Sequence, residues 1–169
     1  MPYNKSTSLW DESDQEKYFQ KLNIHLQQQS GPHCVSTCLA MMADTLPETF
    51  QGKINTQDPI SWSDSLMPFG MKLAYCPTDI RKLTWYIPEL LRLDDLFLLC
   101  YYTSLDPATL LGDPNEEGWI CGSHVVVLHR RNIFDPMRAE PCELVRHSSP
   151  EMHTKRIFRI VPTDHFRGL

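Results

Sequence analysis

The stretch at residues 121–137, CGSHVVVLHRRNIFDPM, limits the fold more than any other part of this chain. Three consecutive valines are stiff at χ1 and pack well on a pleated surface, so VVV reads as a strand. RRN reads as a turn and IFD as a returning strand, stopped by Pro136, which has no N–H to give to a ladder. The pattern is a β-hairpin. Its turn centres near residues 129 and 130 if His124 and Asp135 are to meet at one end. ELVRH at 143–147 and RIFRIV at 156–161 add two further strand candidates.

The first half reads differently. Gly31 and Pro32 break the backbone just before CVSTCLAMMA, so a helix begins near Cys34, and Val35, Cys38, Leu39 and Met42 recur at helical spacing on one face. Two helical turns follow, one at SWSDSLM and one after a cap at Thr78 or Asp79, with Pro88 interrupting or ending the second. LFLLCYY at 96–102 is a buried strand, and the loop at 106–118, rich in Pro, Gly, Asp and Asn, is an exposed connection. The expected class is α+β, a helical first half packed on an antiparallel sheet from the second. Residues 1–20 form a polar arm that Trp10, Tyr18 and Phe19 pin to one domain at 21–169.

At 169 residues with 41% hydrophobic side chains, the chain fits one domain. A chain this long buries roughly two-thirds of its unfolded surface and needs no disulfide or metal staple. Its six cysteines, at 34, 38, 76, 100, 121 and 142, lack the dense spacing of a secreted scaffold and read as mostly reduced thiols. The net charge of -5 argues against a nucleic-acid sleeve. The charge is uneven: residues 1–120 carry 8 basic and 16 acidic side chains, residues 121–169 carry 8 and 5. This is ordinary surface variation or a basic rim for an acidic partner. There is no apolar signal region and no run long enough to span a membrane. The expected location is the cytoplasm, or outside it by a route without a standard signal peptide.

The chemistry concentrates in a cysteine that opens a helix and a histidine and aspartate about ninety residues later. At a helix N-terminus, unpaired backbone N–H groups and the positive end of the dipole stabilise a thiolate, which makes Cys34 a candidate nucleophile. His124, at the start of VVV, can take and return a proton, and Asp135 can hold its ring in one tautomer. Gln28, six residues before Cys34, can join the Cys34 N–H in stabilising an oxyanion.

With Gln28, Cys34, Cys38, Leu39, Ala40 and Met41 in order, then His124-Val125-Val126-Val127 and Asp135-Pro136, the chain resembles the papain-like cysteine peptidase superfamily. Its likeness is greatest to the branch of bacteriocin-processing peptidases that cut double-glycine leaders. The resemblance implies a papain-like fold, with Cys34 as nucleophile, His124 as base, Asp135 as its orienting partner, Gln28 as oxyanion donor, a protein or peptide substrate, and no metal or other cofactor. Where that branch has Asp before the nucleophile and Gly after it, this chain has His33 and Val35. His33, Val35 and Trp119 are expected at the entrance or groove. The same scaffold serves bacterial effectors that deamidate glutamine, so deamidation is a second reading. A catalytically silent interaction domain is a third, and a zinc shell of Cys34, Cys38, Cys121 and His124 is a structural alternative to catalysis.

Overall fold

The computed structural model describes residues 16–31, 33–103 and 123–169. Among them are three α-helices, α1 (Cys34–Ala43), α2 (Pro59–Leu66) and α3 (Ile87–Leu93). Six strands accompany them: β1 (Met71–Cys76), β2 (Leu96–Tyr102), β3 (Ser123–His129), β4 (Asn132–Phe134), β5 (Cys142–Glu143) and β6 (Thr154–Pro162). The strands form one sheet in the order β1-β6-β2-β3-β4-β5, every pair antiparallel. The chain is therefore α+β, as expected.

Alternation along the strands sends side chains to two separate cores. Leu73, Leu98, Val125, Val127, Phe158 and Ile160 face α1 and α2 on the front of the sheet. Leu99, Tyr101, Val126, Leu128, Ile157 and Val161 face Leu83, Leu90, Leu93 and Leu144 on the back. From Val35 to Met42 every residue of α1 is buried, because the helix lies against β3 and is covered on its other side. The helix begins where Gly31 (φ 65) bends the chain and ends where Asp44 adopts a left-handed conformation and its N–H closes on the Ala40 carbonyl.

Several expectations change. The hairpin turn is Arg130 and Arg131, one residue later than expected, because His129 pairs with Asn132 and Arg130 takes the positive φ of 60 that a tight reversal needs. ELVRH is not a strand: only Cys142 and Glu143 pair, and His147 N–H then bonds back to the Glu143 and Leu144 carbonyls to close a turn. Pro88 does not end a helix but lies in the first turn of α3, where a missing N–H costs no bond. β1, with the sequence MKLAYC, carries no β-branched residue and owes its strand state to pairing with β6. The sheet thus draws on both halves of the chain. Trp10, Trp119, Cys121 and the loop 106–118 lie outside the described residues.

On the back of the sheet the segment at 16–20 is held by a buried ion pair. Arg159 Nη2 lies 2.8 Å from Asp95 Oδ2, both side chains having no solvent exposure. The Asp95 carboxylate also accepts from the N–H groups of Tyr18 and Phe19, each at 2.9 Å, and Arg159 donates to the Glu16 carbonyl. The guanidinium sits 4.9 Å above the Tyr18 ring. Tyr18 and Phe19 therefore do pin the arm, through backbone donors to Asp95. Among the described residues no helix is long and apolar enough to cross a membrane.

Removing one member of a buried pair strands the other charge, which costs about 3–5 kcal/mol, whereas replacing both with apolar groups is often near neutral. Asp95→Ala is expected to lower unfolding stability by that amount in a urea titration. Asp95→Leu combined with Arg159→Met is expected to recover much of it. A single-variant loss under about 1 kcal/mol, the size of an exposed pair, would contradict this assignment.

Candidate active site

The front of the molecule brings three elements to one cavity of about 510 Å³. The first turn of α1 contributes His33, Cys34, Val35 and Ser36, the start of β3 contributes His124, and the residue following β4 contributes Asp135. His33 is the N-cap of α1 but makes no side-chain capping bond, and the first turn holds no acidic residue. The positive end of the helix is thus left to whatever occupies the cavity.

His124 Nε2 is 2.8 Å from Asp135 Oδ1, with 12% and 6% of the two side chains exposed. Cys34 lines the same cavity and is electrostatically coupled to this imidazole, and since Nε2 is taken, Nδ1 is the ring nitrogen left to serve it. Burial alone would lower the pKa of His124, but the bond to Asp135 and the interactions with Cys34 and with the Asp135 charge outweigh it and push it up to about 9. For Asp135 burial acts in the opposite sense and is likewise outweighed. Bonds from His124, from His147 and from the Met137 N–H hold its carboxyl well below the usual range.

His147 had no readable partner in the sequence, yet it completes this network. Its Nε2 lies 2.9 Å from Asp135 Oδ2 and its side chain has no exposed surface. The Ser149 N–H points at Nδ1 from 3.1 Å, and an amide N–H only donates, so Nδ1 is the acceptor and the proton sits on Nε2. His147 therefore donates to Asp135 in one fixed tautomer. Arg138 Nε lies 3.5 Å from Asp135 Oδ2. Tyr101 stands edge-on between the imidazoles, its ring centre 5.8 Å from His124 and 6.3 Å from His147, and burial keeps its phenol protonated by pushing its pKa far up.

The glutamine assignment needs correction. Gln28 is exposed and does not line the cavity, whereas Gln29 does. In an extended segment neighbouring side chains point to opposite sides, so with Gln27 bound to the Thr45 carbonyl, Gln29 turns inward and Gln28 outward. The Gln29 N–H bonds the Pro136 carbonyl at 2.8 Å, which ties this segment to the Asp135 turn. Its Nε2 donates to the Gly31 carbonyl, and its Oε1 is buried with no hydrogen-bond partner among the described residues. Three adjacent glutamines gave no local signal to choose among them.

The zinc alternative loses a ligand. Cys38 is buried, its Sγ–H donates to the Val125 carbonyl at 3.3 Å, and burial pushes its pKa well up, so it is held as a thiol. Cys121, another of the four proposed zinc ligands, lies outside the described residues. Burial also raises Cys76 and Cys100 to about 12, so these are inert packing groups. Cys34, in contrast, opens α1 in the cavity that also holds His124.

Because the folded-state pKa of His124, about 9, lies above its ordinary 6.5, its protonation stabilises the fold fully below pH 6.5 and ceases to do so as pH rises through 9. The difference in thermal midpoint between native protein and His124→Gln should shrink over that window. A pH-independent difference contradicts the network. By NMR, the His124 ring should titrate near 9, moving toward 6.5 in Asp135→Asn and by a smaller step in His147→Phe.

No protein-family model, no curated protein and no solved structure matches the chain, so what this site does is read from its own residues and geometry.

Proposed function

We propose that this protein is a thiol-dependent amide hydrolase of the papain-like kind, acting as a cysteine peptidase on a protein or peptide substrate. One observation carries the reading: a cysteine at an uncapped helix N-terminus shares one cavity with an imidazole whose Nε2 is fixed by a buried carboxylate. The helix packed on an antiparallel sheet that supplies the histidine and aspartate supports the papain-like layout.

The Cys34 thiolate attacks the amide carbon, forming a C–S bond and an oxyanion. The Cys34 N–H and the Gln29 side-chain amide, turned from Gly31 toward the cavity, stabilise that oxyanion. His124 gives its proton to the amide nitrogen as the C–N bond breaks and an amine leaves, with the acyl group held as a thioester. Water then adds while His124 takes its proton, the C–S bond breaks, and the carboxylic acid departs. Asp135 keeps the imidazolium in place through both halves, and His147 keeps Asp135 in place. Val35, buried beside the nucleophile, narrows the floor of the site.

Intact-mass measurement of candidate substrate proteins after incubation tests this. Separated fragments mark peptide cleavage; a gain of roughly 1 Da, from NH2 becoming OH, marks glutamine deamidation by the same thioester route. No change in any substrate, with Cys34 alkylated no faster than the other cysteines, means a silent scaffold. Cys34→Ala should abolish turnover and leave the circular-dichroism spectrum intact. Gln29→Ala should lower kcat by about 10²–10³, the usual loss of one oxyanion donor, while Gln28→Ala should leave it unchanged.

A further inference from the structure

β6 changes phase at the edge of the cavity. Thr154 pairs with Tyr101 and Arg156 with Cys100, so Lys155 is an extra residue with no partner of its own on β2. Thr154 and Ile157 flank the irregularity, and Tyr101 and Ile157 belong to the back core. In a regular strand Lys155 and Arg156 would point to opposite faces. The bulge instead turns both toward the front, where both line the cavity that holds Cys34.

Neither cation forms an ion pair with a described residue. Lys155 is half-buried with its Nζ 5.9 Å from the centre of the Tyr102 ring. Asp135 is the one described acidic residue in the cavity lining, and its oxygens are engaged by His124, His147, Arg138 and the Met137 N–H. Burial and the adjacent Arg156 push Lys155 below its ordinary pKa. Two like charges side by side in a partly dry pocket favour an anion between them.

We propose that Lys155 and Arg156 form an anion subsite that takes a carboxylate of the substrate next to the amide attacked by Cys34. The subsite rests on the amide-hydrolase reading, to which it adds a substrate class: peptides bearing an acidic side chain or a free terminal carboxylate beside the target bond. It also gives the basic excess of residues 121–169 a location, since both cations belong to that segment.

Alkylation of Cys34 by iodoacetate, which carries a carboxylate, against neutral iodoacetamide tests this without a known substrate. The iodoacetate-to-iodoacetamide rate ratio, read by peptide mass at low ionic strength, should be roughly fivefold higher in native protein than in Lys155→Gln/Arg156→Gln. His124 attracts iodoacetate in both proteins, so the comparison isolates β6. In native protein the ratio should also fall several-fold between about 10 mM and 1 M salt, as the screening length shrinks from roughly 30 to 3 Å. The fall should be smaller in the double variant, where only His124 is screened. If the double variant misfolds, Lys155→Gln and Arg156→Gln are compared singly, each expected to lower the ratio by a smaller step. A ratio unmoved by these substitutions overturns the subsite.

N-acetylglutamic α-amide, N-acetylglutamine and neutral N-acetylglutamine amide, used as protectants against iodoacetamide, separate a side-chain from a terminal carboxylate. Equal protection by all three also overturns the subsite. The two readings fail separately: iodoacetamide reacting no faster at Cys34 than at the other cysteines sinks the nucleophile, whatever the ratio shows.

Discussion

The Asp135 carboxylate is the group on which the front of this molecule depends. An ionised carboxylate so nearly removed from water is tolerated only when its oxygens are bonded, and these bonds come from three separate parts of the chain. His124 brings the start of β3, His147 brings the turn after β5, and the Met137 N–H brings the chain just beyond β4. The adjacent Pro136 carbonyl takes the Gln29 N–H and so adds the segment before α1. One charge thereby sets the relative positions of the segment leading to Cys34, of His124 and of the supporting turn. Loss of any one donor would loosen the others, since each aligns the same two oxygens.

A second buried carboxylate does comparable work on the opposite face. Asp95, just before β2, accepts from Tyr18, Phe19 and Arg159, and so closes the back core with the segment at 16–20. The two differ in chemistry. Asp95 meets a permanently charged guanidinium with no exposure. Asp135 meets the His124 imidazole, a group that can take up and release a proton. The same physical device, a bonded buried carboxylate, is structural where its partner is arginine and chemical where its partner is histidine.

How much was legible in the sequence follows from how local each signal is. Cys34 follows a Gly-Pro break, His124 opens a β-branched run and Asp135 precedes a proline, so each carries its own punctuation, and the structure brings all three together. Gln29 and His147 carry none. Choosing between Gln28 and Gln29 requires the pleat of an extended segment, and finding His147 requires knowing that ELVRH curls into a turn rather than pairing. β1 is hard to read for a related reason: MKLAYC has no β-branched residue, and its state is imposed by β6. Lys155 and Arg156 look like an ordinary alternating pair until β2 shows that one of them is an insertion.

The electrostatics of the cavity follow from that division of labour. Asp135 is surrounded by donors that belong to the fold, so its negative charge is already compensated before any substrate arrives. His124, its pKa raised to about 9, lies against that carboxylate. What remains on the described wall is the pair of cations on β6, set side by side by a bulge that the sheet would otherwise have no reason to hold. A regular strand would have placed one of them on the back face, in the apolar core around Tyr101 and Ile157, at a desolvation cost of several kcal/mol for an unpaired charge. The bulge avoids that cost and leaves the positive charge facing the cavity that holds Cys34. The irregularity that spares the core from a buried lysine also gives the cavity its sign.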